Sequence, residues 1–163
     1  MGTRDLLSDA EAYALRHGLE LCGRLGDGTQ GRVWAVRGKG NLIPWALKMQ
    51  SSAKDFRQER DCYLRLLDHG ITELEGFHVP ILLRADEEFL AIEMTIVTRP
   101  FVLDFAQAYL DFPPDFSPEV WEDTHRRWSR RYGEDWPRVQ RLLGALEELG
   151  IYYLDVHGRN VAV

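Results

Sequence analysis

The chain has 163 residues, 45% of them hydrophobic and 11% aromatic, so it can bury one core, or a small core with a helical appendage. Twenty Lys and Arg against 26 Asp and Glu give a formal net charge of −6, which disfavours the broad positive potential that nucleic-acid binding requires. No stretch of about 18 apolar residues marks a membrane span. We expect a cytoplasmic protein whose partners include neither nucleic acid nor a membrane.

The first half of the chain reads as a β-meander with helices before and after it. Ser8 and Glu11 form a capping box, which predicts a helix over 9–17 that ends at Gly18. Five runs of strand-forming residues and one segment with the periodicity of a helix then follow. The predicted strands cover 19–25, 32–37, 44–50, 78–84 and 88–97, and the predicted helix covers 54–67.

The second half of the chain has residue patterns typical of α-helices. Ser117 before Pro118 is typical of a helix start, because proline at the first helical position loses no hydrogen bond. Asp135 can cap a further helix that Gly150 ends, and its apolar stripe comprises Val139, Leu142, Leu143, Leu146 and Leu149. The predicted class is α+β, with a sheet-containing part at 1–98 and a small helical part at 99–163.

A glycine-rich pattern joins the first two predicted strands. Gly26, Gly28 and Gly31 followed by Val33 read G-x-G-x-x-G-x-V, and such glycines let backbone N–H groups approach phosphate oxygens. A Rossmann turn uses similar glycines, but there the third glycine opens a helix. Here a β-prone run follows, so the pattern predicts a strand, a loop and a second strand.

Two charged residues extend the glycine pattern. Lys48 lies on the third predicted strand, and Glu59 on the helix after it could pair with the lysine. The alternatives are an ordinary strand lysine and a solvent-facing glutamate, with Glu73, Glu75 or the charged residues of 54–61 as substitutes for Glu59. Because the glycine loop precedes them, we favour a functional role for Lys48 and for Glu59.

The C-terminal segment, residues 150–163, supplies the third feature. Asp155 is followed five residues later by Asn160 and then by apolar residues. Together with the glycine loop and Lys48, this spacing resembles the eukaryotic-type protein kinase fold, from its nucleotide-binding lobe to its catalytic loop. The resemblance implies a kinase-like α+β fold with a five-stranded antiparallel N-lobe sheet, one helix packed on it and a reduced helical C-lobe.

The same resemblance implies ATP and Mg²⁺ as ligands and gives each residue a role. Asp155 would orient an acceptor hydroxyl, Asn160 would bind Mg²⁺, and Glu59 would hold Lys48 against the phosphates. The residues implied in nucleotide binding are Gly26, Gly28, Gly31, Lys48, the apolar Val33 and Ala46 over the base, and at the hinge the Glu93 carbonyl and the Thr95 amide.

The chain departs from the family pattern at three places. Tyr153 and Leu154 replace the usual His-Arg before the aspartate. His157 makes the loop D-x-H-x-x-N, which is similar to aminoglycoside phosphotransferases. Only three residues follow Asn160, so we expect no D-F-G segment, no activation segment and weakened binding of magnesium with ATP.

These departures leave the function open. The chain could be a minimal ATP-dependent kinase for a hydroxyl acceptor, a nucleotide-binding or interaction module without catalysis, or a fold remnant that binds no nucleotide. Trp121, Trp128 and Trp136 could fill a locally rebuilt core, or self-association or a partner could cover them. We interpret the basic run 126–131 as a solvated helix face with Trp128 buried.

Overall fold

The computed structural model describes residues 4–28 and 30–163, and in these ranges it contains four α-helices and eleven strands. The helices are α1 (Leu6–His17), α2 (Ala53–Asp68), α3 (Pro118–Tyr132) and α4 (Trp136–Glu148). The strands are β1 (Leu19–Asp27), β2 (Gly31–Gly38), β3 (Trp45–Gln50), β4 (Glu73–Leu74), β5 (Phe77–His78), β6 (Leu82–Asp86), β7 (Ala91–Met94), β8 (Phe101–Val102), β9 (Tyr109–Leu110), β10 (Ile151–Tyr152) and β11 (Val161–Ala162).

A five-stranded antiparallel sheet dominates the first half, in the order β1-β2-β3-β7-β6. The α+β class and the five strands predicted from the sequence are confirmed. The last two strands are shorter than predicted, because the chain uses part of each run for turns and for the β4–β5 hairpin.

Helix α1 covers one face of this sheet. Its start differs from the prediction, because Asp5 rather than Ser8 is the N-cap and accepts hydrogen bonds from the amides of Leu7 and Ser8. Its end is as predicted, with Gly18 in the left-handed conformation at φ +64°. The apolar side of α1 packs against alternate strand residues, including Leu47 and Met49 of β3.

Helix α2 covers the opposite face. Successive strand residues point to opposite sides of a sheet, so Ala46 and Lys48 face α2 while Leu47 faces α1. Ser52 caps α2 by accepting the amide of Asp55. The sheet therefore lies between two helices and directs Lys48 toward α2.

Two small sheets connect the halves of the chain. Strand β10 pairs with β9, while β11, β8, β5 and β4 form a four-stranded sheet in which β8 runs parallel to β5. The C-terminal strand is thereby bound, through β8, to the β4–β5 hairpin of the first half.

One hydrophobic core spans the predicted boundary near residue 98. It includes Phe56 of α2 and Ile92 of β7 from the first half, and Leu142 and Leu146 of α4 from the second. The two parts thus share a packed interior.

The predicted cap Ser117 accepts a hydrogen bond from the amide of Val120 at the start of α3.

Within residues 4–28 and 30–163, no helix has the length and apolar character needed to cross a membrane.

Candidate functional site

Lys48 is buried between two carboxylates. Its Nζ lies 2.7 Å from Oε2 of Glu59 on α2 and 2.9 Å from Oδ1 of Asp104, which follows β8. The side chains are 5%, 0% and 14% exposed, respectively. Lys48 and Glu59, which were predicted as a pair, lie in contact in the structure, and Asp104 is a further partner that was not predicted.

The charges of this group do not cancel. Two carboxylates around one ammonium leave a net charge of −1 in a buried setting if all three are ionised. Burial raises the pKa of Glu59 to about 7, Lys48 opposes this shift, and Asp104 adds to it. Burial alone would lower the pKa of Lys48, but the attraction of Glu59 and Asp104 outweighs it, and the Lys48 pKa is raised. A further cation would relieve the excess negative charge.

Gln50 is a second contact for Glu59. Its amide nitrogen donates to Oε2 of Glu59, and its Oε1 is buried without a hydrogen-bond partner among the described residues. Glu59 is therefore fixed by two side chains of β3, Lys48 and Gln50, two residues apart on the same face of the strand.

Asp104 begins the sequence Asp104-Phe105-Ala106 after the apolar residues 101–103. Asp-Phe followed by a small residue, after a short apolar strand, has the residue types of the D-F-G element that binds the metal in protein kinases. This signal was present in the sequence. Asp104 was nevertheless not predicted, because the kinase pattern that the sequence resembles has this element after the catalytic loop, whereas Asp104 precedes Asp155 along the chain.

Phe105 anchors the Asp104 segment in the core. Its ring is fully buried and meets the rings of Tyr63 on α2 and Tyr153 before Asp155 edge to face, with centroids 5.1 and 5.3 Å away. The Tyr153 hydroxyl donates to the carbonyl of Leu103 at 2.6 Å. Tyr153 thus contacts the residues on both sides of Asp104.

The Asp155–Asn160 turn is internally hydrogen bonded. Asn160 Nδ2 donates to Asp155 Oδ2 at 2.7 Å and lies 3.1 Å from His157 Nε2. The backbone carbonyl of Asn160 accepts the amide of Leu103 at 2.9 Å, which joins the turn to the residue before Asp104. The contacts of Nδ2 leave the side-chain oxygen of Asn160 as the atom for a cation.

The glycine hairpin also reaches Asp104. A Cβ built on Gly28 would lie 3.7 Å from Asp104 Oδ2, and the Gly28 amide donates to the carbonyl of Gly31 at 2.9 Å. Gly26 pairs with Val33 on the neighbouring strand. The hairpin, Lys48 and the Asp155–Asn160 turn therefore meet at Asp104 or at the residue before it.

Gly31 is the glycine of the three whose lack of a side chain is required by packing. A Cβ there would overlap the carbonyl oxygen of Met49 and approach Gln50 Oε1 to 3.2 Å, whereas a Cβ on Gly26 would meet nothing within 4 Å. We expect Gly31→Ala to lower the free energy of unfolding by about 1–3 kcal/mol. Gly26→Ala, the matched control, should change it by less than about 0.5 kcal/mol in urea denaturation. Equal effects would contradict this explanation.

Val33 and Ala46 lie on the face of the sheet that carries Lys48. Val33 on β2 is the cross-strand partner of Lys48, and Ala46 precedes Lys48 by two residues on β3. Both contact the core shared with α2, Ala46 being buried and Val33 partly buried. Their predicted contact with a base remains a prediction.

The backbone groups predicted for the hinge take part in other hydrogen bonds or pairings. Glu93 pairs with Leu47 on one side and Arg84 on the other, inside the sheet. The Thr95 amide donates to the carbonyl of Ile81 at 3.0 Å. In this structure the Thr95 amide is therefore not free for an adenine edge, because the chain runs beside residue 81 before it leaves the sheet.

The side chain of Glu93 points instead to α1. It accepts hydrogen bonds from Tyr13 Oη at 2.5 Å and from Trp45 Nε1 at 2.6 Å. We expect Tyr13→Phe to lower the free energy of unfolding by about 1–2 kcal/mol, because the buried carboxylate loses a donor. Tyr109→Phe, at a half-exposed site, is the control for chemical denaturation. No difference between the two variants would show that the Tyr13 bond contributes nothing.

Asp104 and Asn160 offer oxygen atoms, the type of ligand that Mg²⁺ prefers, and Mg²⁺ is commonly bound by one or two carboxylates together with substrate phosphates and water. Among residues 4–28 and 30–163, no group of three or more His, Cys, Asp or Glu side chains is placed to hold a metal ion. Any further ligands of a metal at Asp104 and Asn160 would have to come from phosphate or water.

Comparison of the chain with models of known families and with curated proteins gives no match.

Proposed function

We propose that this protein is a kinase-like ATP-binding phosphotransferase that acts on a hydroxyl acceptor. The observation that carries the proposal is the position of Lys48 between Glu59 and Asp104, with the glycine hairpin against Asp104. A lysine held by a glutamate, with an aspartate and a glycine-rich turn beside it, is the arrangement with which protein kinases bind a triphosphate and its metal.

Different residues of the chain would bind the phosphates, position the lysine and hold the metal. Lys48 would bind the α and β phosphates, and Glu59 would hold its ammonium in place. The glycine hairpin would cover the phosphates with backbone N–H groups, which requires that it move away from Asp104. Asp104 and Asn160 would hold Mg²⁺, whose charge would stabilise the negative phosphate oxygens.

Asp155 would act on the acceptor. Its carboxylate is 34% exposed and is held by Asn160 Nδ2, so it can reach a hydroxyl outside the turn. It would orient that hydroxyl and accept its proton as the oxygen attacks the γ phosphate. Asp104 and Asp155 would thereby take separate roles, in metal binding and in proton acceptance.

A kinase-like fold is the second part of the proposal. The pairing of β8 with β11 and of β9 with β10 brings the Asp104 segment beside the Asp155–Asn160 turn, although the two occur in the reverse of the family order. Strand pairing depends on position in space rather than order along the chain. Asp104 would therefore take the place of the D-F-G aspartate, which the chain was expected to lack.

A nucleotide-binding module without catalysis is the second candidate. It is favoured by the contacts of Asp155, whose Oδ2 accepts a hydrogen bond from Asn160 Nδ2 at 2.7 Å and whose Oδ1 lies 3.4 Å from His157 Nε2. Both carboxylate oxygens therefore already have a neighbour. The two candidates differ in whether Asp155 accepts a proton.

Titration of the protein with ATP, with and without magnesium, tests the proposal. We expect heat of binding in isothermal calorimetry and a raised melting temperature, both larger with magnesium present. ADP formation in the presence of hydroxyl compounds would distinguish the transferase from the binding module. Absence of ATP binding under both conditions would refute both candidates.

A further inference from the structure

A cavity of about 310 Å³ adjoins Asp155 on its α3 side. Its walls include Asp155, Arg127, Arg131, Thr124, Trp128 and Phe116. The volume lies at the lower limit of small-molecule sites, which suits a small metabolite rather than a long polypeptide segment. The arginines of the basic run 126–131 are exposed and Trp128 is buried, as predicted for a solvated helix face, and Arg127 and Arg131 also line this cavity beside Asp155.

The positive charges of these two arginines are only weakly compensated by neighbouring carboxylates. Arg131 Nη1 donates to the carbonyl of Val156 at 2.8 Å, and no carboxylate pairs with Arg131 in the part of the chain that the structure describes. Arg127 donates to Thr124 Oγ1 at 3.1 Å and lies 3.3 Å from Asp123. That ion pair is more than 60% exposed on both sides, so solvent screens it. Both guanidiniums can therefore bind an anion.

The cavity thus carries opposite charges at different places. Asp155 would repel an anion, whereas Arg127 and Arg131 on α3 would attract one. A molecule that satisfies both has an anionic group at the arginines and an uncharged, proton-donating group at Asp155. Trp128 and Phe116 add aromatic surface that a short carbon skeleton can contact.

We propose that this cavity binds the acceptor, and that the acceptor is a small hydroxyl compound carrying a phosphate or carboxylate group. The inference rests on the proposed function, because it assigns Asp155 to the acceptor hydroxyl. Guanidinium groups bind both kinds of anion through paired charge-assisted hydrogen bonds. Arg127 and Arg131 are the residues that select for the anionic group.

The chemical step conserves atoms and charge. Asp155 takes the proton of the acceptor hydroxyl while the hydroxyl oxygen forms a bond to the γ phosphorus of ATP. The bond between that phosphorus and the β–γ bridging oxygen breaks, and its electron pair leaves with ADP. The products are ADP and the phosphate ester of the acceptor, and Asp155 returns its proton to solvent.

Matched variants and probes test this inference. Arg127→Gln and Arg131→Gln remove the charge and keep a donor for Thr124 or Val156, and Arg130→Gln removes the same charge outside the cavity. Inorganic phosphate is the binding probe, measured by isothermal calorimetry. We expect the Arg127/Arg131 double variant to lose roughly tenfold or more in phosphate affinity, and Arg130→Gln to lose little. ATP affinity should be retained in all of them.

Turnover supplies the second measurement. Glycerol, glycerate and glycerol 3-phosphate share a hydroxyl-bearing skeleton and differ in charge, so ADP formation with each shows whether the anion matters and which kind is preferred. We expect the anionic compounds to be better acceptors for the wild type, and the double variant to lose that preference. An equal loss of phosphate affinity in Arg130→Gln, or equal turnover with glycerol, would overturn the inference while ATP binding stands. Absence of ATP binding would instead overturn the proposed function and, with it, the acceptor role.

Discussion

Lys48→Met is expected to abolish detectable ATP binding and to lower the free energy of unfolding by about 3–5 kcal/mol. The methionine keeps an unbranched side chain that is one atom shorter, and it removes the ammonium that contacts both Glu59 and Asp104. Two carboxylates would then remain in a buried site without a cation, which is the costly outcome of breaking a buried ion pair. Urea denaturation and ATP calorimetry measure the two effects separately.

Two variants separate the loss of binding from the loss of stability. Lys39→Met removes a positive charge from an exposed loop and should change neither quantity. The double variant Lys48→Met/Glu59→Gln removes one of the stranded charges, so it should recover part of the lost stability without recovering ATP binding. Recovered binding in the double variant would mean that Lys48 contributes only to stability.

Asp104→Asn and Asp155→Asn are expected to impair phosphoryl transfer in different ways. Asp155→Asn should slow turnover by roughly 10²–10⁴-fold, because the acceptor hydroxyl loses its base, and should leave magnesium-dependent ATP binding intact. Asp104→Asn should remove the gain in ATP affinity that magnesium provides, because the metal loses its carboxylate. Calorimetry with and without magnesium and an assay of ADP formation distinguish the two variants.

The exposed Asp68 at the C-terminal end of α2 provides the control for this pair. Asp68→Asn changes the same charge at a position that lines neither the lysine site nor the cavity, and it should match the wild type in both measurements. If Asp104→Asn keeps the full magnesium effect, the proposed metal role of Asp104 is wrong. If all three variants turn over ATP at the wild-type rate, neither Asp104 nor Asp155 takes part in catalysis.

Local sequence signals predicted most of the first half. Strand-forming residues, the glycine turn and the helical period of α2 act over a few neighbours, so the five-stranded sheet and the position of Lys48 opposite Glu59 could be read from the chain. The cap of α1 was misplaced because Asp5 and Ser8 are both good capping residues, and the packing of Leu6 decides between them.

Asp104 and the hinge could not be predicted in the same way. Asp104 was not predicted, because the kinase pattern that the sequence resembles has its metal-binding aspartate after the catalytic loop. In addition, β8 is only two residues long and its partner β11 is distant in sequence. The hydrogen bond from the Thr95 amide to the Ile81 carbonyl could not be predicted, because it is set by how β6 and β7 align. Such contacts depend on the register between strands, which a local pattern does not specify.

The sequence by itself determined the elements that arise from near neighbours: the β-meander, its glycine turn, the lysine on β3 and the glutamate one helix later. Only the tertiary structure decided that Asp104 completes a charged group around Lys48 and that Arg127 and Arg131 share a cavity with Asp155. The physical reason is that charges interact according to distance in space, and strand pairing and helix packing bring together residues that are far apart in the chain.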